Sequence, residues 1–215
     1  MKPVVIVGAG GTGEDVAGFL GDINDVGPTY ECLGFLDDDP AKQGACISGL
    51  PVLGPLEDAK EYTDATFVDC LGSPRTFLQR QGRADNLGID NDRFETIIHP
   101  SAVVAHGCTI GHGCVLYPFT HIGPGVELGD HVIILSHSVI HHHGRVGRFT
   151  IVASGCNVSG GVEIGASSYL GAGCSIRDGA SIGDRCLVGM GSVVIQAVEP
   201  GSVVAGVPAR FVRSS

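Results

Sequence analysis

Cut into sixes, residues 146–175 read VGRFTI-VASGCN-VSGGVE-IGASSY-LGAGCS, and this stretch decides the fold. Each block opens on an aliphatic residue (Val146, Val152, Val158, Ile164, Leu170) and carries a small residue four places on (Thr150, Cys156, Val162, Ser168, Cys174). Counted outward in both directions, the aliphatic position recurs without exception from Ile98 to Val194, and the small one from Ala102 to Val198. A period of six with one bulky and one small inward position is the mark of hexapeptide repeats wound as a parallel β-helix. Three hexads close one triangular coil, so the run predicts a prism of five to six coils, roughly 27 Å long at the interstrand spacing. Its flat faces and open ends need cover, which predicts self-association and an N-terminal domain shielding one end.

What precedes the repeat has a different composition. Met1 to Thr96 holds 7 basic and 17 acidic residues, the remainder 6 of each, so the whole net charge of −10 lies in the first part. All nine histidines lie in the second, between His99 and His143. Two domains follow, 1–96 and 97–198, with 199–215 as a C-terminal turn and tail. An acidic chain without a basic stripe offers nothing to a nucleic-acid backbone. No apolar run approaches the ~20 residues of a spanning helix, and Val4 to Val7 is too short for a signal-peptide core, so a soluble cytoplasmic protein with no membrane insertion is expected.

Within 1–96, a β-branched run from Pro3 to Val7 leads into Gly8-Ala9-Gly10-Gly11-Thr12-Gly13 and a helical stretch, Glu14 to Leu20. Glycines at 8, 10 and 13 let a backbone turn sharply and aim its amides at a phosphate. A second strand, Tyr30 to Leu36, ends in Asp37-Asp38-Asp39-Pro40, and a third, Ala65 to Leu71, ends in Gly72. Gly and Asp also favour ordinary turns. Agreement of three strand ends on one crevice favours a nucleotide site in a half-Rossmann-like α/β domain, which is all that under 100 residues can hold.

Of the eight cysteines, Cys108, Cys114, Cys156, Cys174 and Cys186 occupy the small inward position, where a thiol acts as a small hydrophobe; no CxxC pair exists. His99, His106, His112, His121 and His131 read as surface or inter-subunit residues. The cluster His137, His141, His142 and His143 stands apart, because imidazole is the natural base near neutral pH. Residues eighteen apart stack, so His142 has Gly160 above it and Pro124 below, which leaves room for a thin thioester arm.

Taken together, Gly8 to Gly13, Phe35-Leu36-Asp37-Asp38, Ile98-His99-Pro100-Ser101-Ala102, Ser138-Val139-Ile140 before His142, and Gly206-Val207-Pro208-Ala209-Arg210 resemble the hexapeptide-repeat family of bacterial sugar acetyltransferases, over essentially the whole chain. The family includes N-acetyltransferases of UDP-4-amino sugars and of GDP-perosamine, and sialic acid O-acetyltransferases. The resemblance implies a left-handed β-helix, a homotrimer, and acetyl-CoA as co-substrate with no metal. It implies a sugar nucleotide held by Gly10, Gly11, Thr12, Asp37, Asp38 and Gly72, cofactor contacts at Ile151, Gly160, Ala172 and Met190, and His142 as general base, with Arg210 near the CoA phosphates. The expected reaction acetylates a sugar amine rather than a hydroxyl. Where the family often follows its base with a carboxylate, this chain has His143, and where it often has His in the glycine loop, this chain has Thr12.

Two readings of other classes compete. His137 and His142, five apart on a hexapeptide prism, resemble zinc ligands of a γ-class carbonic anhydrase, whose third ligand position near Ser101 holds no histidine here. A non-catalytic scaffold would show neither acetyl-CoA binding nor turnover, and no residue pattern favours it.

Overall fold

The computed structural model describes residues 1–215. The N-terminal domain is a sheet built from β1 (Lys2–Val7), β2 (Tyr30–Leu36), β3 (Cys46–Ile47), β4 (Leu50–Gly54) and β5 (Thr66–Asp69), in spatial order β3-β4-β2-β1-β5. All pairings are parallel except β3 with β4. Val4 to Val7 are fully buried, as a strand covered on both faces requires. Helix α1 (Gly11–Val26) starts earlier and ends later than the Glu14 to Leu20 run predicts. The chain turns one way from β1 to β2 and the other way to β5, so the topological switch point lies between β1 and β5.

The repeat forms a three-faced prism of two-residue strands. The first face pairs strands beginning at Ile97, Val115, Ile133, Ile151, Tyr169 and Leu187. The second runs from Val103 through His121, Val139, Asn157 and Ser175 to Val193, and the third from Thr109 through Glu127, Arg145 and Glu163 to Ser181. The second residue of each strand points inward, and with the small positions these make one core of 24 buried residues. Inward hydroxyls are absorbed by backbone carbonyls of neighbouring coils: Ser138 donates to Ala153, Thr150 to Gly165 and Ser168 to Gly183. At the first coil the prism is open, and Ile98, expected inside, is 37% exposed.

The outward residues of the first face are Ile97, Val115, Ile133 and Ile151, all nearly fully buried, with half-buried Tyr169 and Leu187 beside them. They join Val4, Ile6, Val16, Phe19 and Leu20 in a shared core. Burial of each aliphatic side chain is worth about 1.5–3 kcal/mol. The N-terminal domain therefore docks along a face of the prism, not over an end as the sequence suggested. That choice was written at a period of eighteen: the outward positions of the first face are apolar, whereas those of the third are Thr, Glu, Arg, Glu and Ser.

A buried charge cluster completes the joint. Arg80, on α2 (Arg80–Asn86), pairs with Asp69 at 2.9 Å and donates to the carbonyls of Leu71, His131 and Phe149. Burial would raise the Asp69 carboxyl, but Arg80, His131 and the Leu71 amide outweigh it and hold it below the usual carboxylate range. His131 Nδ1 lies 3.2 Å from Asp69, close enough for charge attraction though not aligned as a hydrogen bond, and its ring stacks on Phe149. His131 is 2% exposed, and His99 binds Asp22 of α1 through Nε2 at 3.0 Å. Both belong to the interdomain joint, which corrects their reading as surface or inter-subunit residues.

Residues 199–215, expected as a turn and tail, form a hairpin of Ser202–Gly206 and Ala209–Ser214 that extends the first face beyond Leu187.

Candidate functional site

His142 sits on the corner between the second and third faces. Its carbonyl accepts from Gly161 N–H and the amide of His143 donates to Pro124, so the backbone here is stitched to the coils on both sides. His143 has φ 56°, a left-handed corner conformation that costs a non-glycine residue of order 1–2 kcal/mol. Its column neighbours at that position are Gly125 and Gly161, which avoid the cost. The strained residue brings its Nδ1 to 3.2 Å from Nδ1 of His142, with the rings edge to face. One of these nitrogens carries the shared proton. When it is that of His142, the Nε2 lone pair is free to act as base.

That Nε2 lies over Gly160. A Cβ placed on Gly160 would come 2.6 Å from His142 Nε2 and 2.4 Å from its Cε1, so the imidazole occupies the space a side chain would take. The sequence located this stack correctly, but it did not see Asp178, two coils on from His142, whose Oδ1 lies 3.0 Å from the same point. A count of eighteen carried one step past Gly160 would have reached it.

The glycine loop lies beside the first corner, between the first and second faces. Gly8 has φ +102°, and a Cβ on Gly13 would come 2.0 Å from the Gly8 carbonyl oxygen, so these two glycines build the turn. Gly10 and Gly11 are exposed, and nothing lies within 4 Å of a Cβ on either. Gly10 caps α1 without a side-chain bond, leaving first-turn amides open for an anion. Thr12 and Asp15 flank the buried Tyr117 hydroxyl, which has no hydrogen-bond partner within the chain. Phe119 and His137, both at left-handed corner positions, stack 5.1 Å apart along the same corner. Further down it Gly191 N–H donates to Ala172, and Met190 is 79% exposed.

Four residues expected to touch ligands also make structural contacts. A Cβ on Gly72 would meet Arg80 at 2.6 Å and Ile151 at 2.9 Å, so its missing side chain lets the domains close. The Ile151 side chain is 5% exposed beneath the N-terminal domain, so the cofactor contact expected there would fall to its backbone. Asp37 accepts from Ala9 N–H at 2.8 Å, Asp39 N–H and Lys42, and so braces the glycine loop. Burial would raise its carboxyl, but these donors hold it below the ordinary range. Asp38 accepts from Leu56 N–H at 2.9 Å.

Within one chain the pieces remain on two corners. His142, His143 and Gly160 are together; Gly10 to Thr12, Ala172 and Met190 lie at the other edge of the second face, with Val139–Ile140 between. His137 and His142 are likewise on different corners, and no three His, Cys, Asp or Glu side chains gather as metal ligands would. The largest hollow, about 700 Å³, runs along the third face over Glu127, Arg145 and Glu163. Arg145 pairs there with both acids, at 3.5 and 3.6 Å, and no histidine lines the hollow.

A half-Rossmann-like α/β domain followed by a left-handed parallel β-helix of hexapeptide repeats is the architecture of the sugar acetyltransferases to which the chain is similar, and the protein is an acyltransferase. The chain belongs to the family described as the GMPPB C-terminal domain, whose profile matches residues 94–203. No curated protein matches the chain. Among solved structures it is similar to the acetyltransferase domain of PglB from Neisseria gonorrhoeae FA1090, at 28% identity and TM-score 0.86 over 99% of this chain and 100% of that one. A second structure of that domain, in complex with acetyl coenzyme A, gives 28% identity and TM-score 0.85 over 98% and 99%. PerB from Caulobacter crescentus, in complex with CoA and GDP-perosamine, matches at 27% identity and TM-score 0.78 over 99% and 98%. No helix of the chain is long and apolar enough to cross a membrane.

Proposed function

We propose that the protein transfers the acetyl group of acetyl-CoA to the amino group of a nucleotide-linked sugar, in the cytoplasm and as a homotrimer. Residues 1–96 hold the sugar nucleotide, with the Gly10, Gly11 and Thr12 amides on its phosphate; residues 97–198 carry the transfer; and the hairpin of 199–215 closes the CoA end. The split of the site between two corners supports assembly from two copies, in which the glycine-loop corner of one protomer meets the His142 corner of the next. Gly160 on one side and Ala172 and Met190 on the other then line the acetyl-CoA channel. Eight free cysteines suit a reducing compartment.

The observation that carries the reading is the His142 imidazole, held by His143 and lying over Gly160 with Nε2 facing the gap. His142 takes a proton from the amine as its nitrogen attacks the thioester carbonyl; the carbon–nitrogen bond forms, the carbon–sulfur bond breaks, and CoA leaves as a thiol after protonation. A backbone N–H at the corner stabilises the oxyanion. The His142–His143 pair lacks the negative charge that would strengthen the base, which suits an amine better than a hydroxyl, whose proton is far harder to remove. Replacing His142 with Ala while following CoA release tests this: partial loss of kcat/KM fits an amine acceptor, and unchanged turnover would remove His142 from the mechanism.

A further inference from the structure

Asp130, Asp178 and Asp184 occupy the same place in their hexads, yet they do different things. Asp130 accepts from the amide of His112, one coil back, at 2.8 Å, and Asp184 accepts from Ala166 in the same way at 2.6 Å. The matching partner for Asp178 would be the amide of Gly160, but its carboxylate makes no such bond. Instead Oδ1 leans over Gly160 towards His142. None of the seven ion pairs in the chain includes Asp178, and the residue is exposed. The Oδ1 of an unpaired carboxylate and the His142 Nε2 therefore both lie within 3.0 Å of one point above Gly160, on an exposed corner where no structural duty explains the charge.

We propose that Asp178 is the residue that selects an amine acceptor, binding the acceptor's ammonium group beside His142 Nε2. This rests on the acetyltransfer reading and names what the acceptor must carry. An aliphatic amine is largely protonated near neutral pH, and a carboxylate attracts that cation while offering a hydroxyl only an ordinary hydrogen bond. The ammonium gives one proton to His142 and becomes the nucleophile. It loses a second after attack; one of the two goes to the departing CoA sulfur and the other to solvent, so the products are the acetamide, CoA thiol and one released proton.

The test compares the intact protein with Asp178→Asn and Asp178→Glu, using UDP- and GDP-linked 4-amino sugars with acetyl-CoA. Asp178→Asn is expected to raise KM for the amino sugar roughly 10-fold to 100-fold, leave KM for acetyl-CoA unchanged, and be largely rescued in Asp178→Glu. An amino-sugar KM in Asp178→Asn within about twofold of the parent overturns the proposal while leaving the acetyltransfer reading standing. A measurement needing no variant backs it: the 4-hydroxy counterpart of the accepted sugar nucleotide should inhibit the parent protein much more weakly than the amino sugar binds, and equal affinities also overturn it. Failure of the parent protein to acetylate any amino sugar sinks both readings together.

Discussion

The guanidinium of Arg80, on the N-terminal domain, donates from Nη1 to the backbone carbonyl of His131 on the prism, 2.9 Å away. That bond crosses the joint between the two domains at a point where Arg80 also pairs with the buried Asp69. The joint fixes the glycine loop relative to the first corner. Removing one member of such a pair leaves a buried charge without its partner.

Asp69→Asn is therefore expected to lower unfolding free energy by about 3–5 kcal/mol, measured by urea denaturation, because Arg80 remains buried without its counter-charge. A change below about 1 kcal/mol would mean that water reaches the joint.

Acid should weaken the same joint. The folded Asp69 and Asp37 carboxyls titrate below their unfolded value of about 3.9, so their contribution is complete above that pH and is lost as pH falls through the folded values. Urea midpoints at pH 7 and pH 5 should differ little on their account, with a fall beginning below about pH 4. Asp69→Asn should flatten part of that fall, and an unaltered slope would contradict the assignment.

Gly160→Ala separates activity from stability. Gly160 is not in the left-handed region, so alanine adds no backbone strain, but its methyl would press on the His142 ring. Thermal melting should stay close to that of the parent while kcat falls at least about tenfold, which corresponds to 1.4 kcal/mol of barrier. Equal activity in the variant would place the chemistry elsewhere.

Thiol reactivity should follow the prism. Cys46 is exposed, whereas Cys70, Cys114, Cys156, Cys174 and Cys186 are buried. Burial pushes the Cys114 thiol up to about 12, and desolvation raises Cys70 as well. Native protein treated with a thiol reagent at pH 8 should label Cys46 first and leave the five buried thiols unmodified until it unfolds. Rapid labelling of Cys114 would show that the coils open.

The repeat was legible because an inward position tolerates few residues: seventeen aliphatics in register from Ile98 to Val194 have no other explanation, and the structure puts all but those of the open first coils in one core. Strand β2 came out with the bounds Tyr30–Leu36 that its sequence predicts. The His142–Gly160 stack was legible for the same reason, since an eighteen-residue step is geometry. What escaped was whatever depends on docking. The sequence does not show that Gly72 and Ile151 lie where the two domains close on each other, and His131 looks like a corner residue until Arg80 and Phe149 enclose it. Asp37 carries the acid a ribose would need, but that carboxylate is spent on Ala9 and Lys42, a contact fixed by the return of the chain after β2.

The central claim is acetyl transfer to a nucleotide-linked amino sugar. Its most direct test is mass spectrometry of UDP- and GDP-linked 4-amino sugars and free sialic acid after incubation with the protein and acetyl-CoA. The account predicts a gain of one acetyl group on a nucleotide-linked amino sugar, with His142→Ala slowing it and sialic acid left unchanged. No acetyl gain on any amino sugar, or a gain on sialic acid alone, would contradict it.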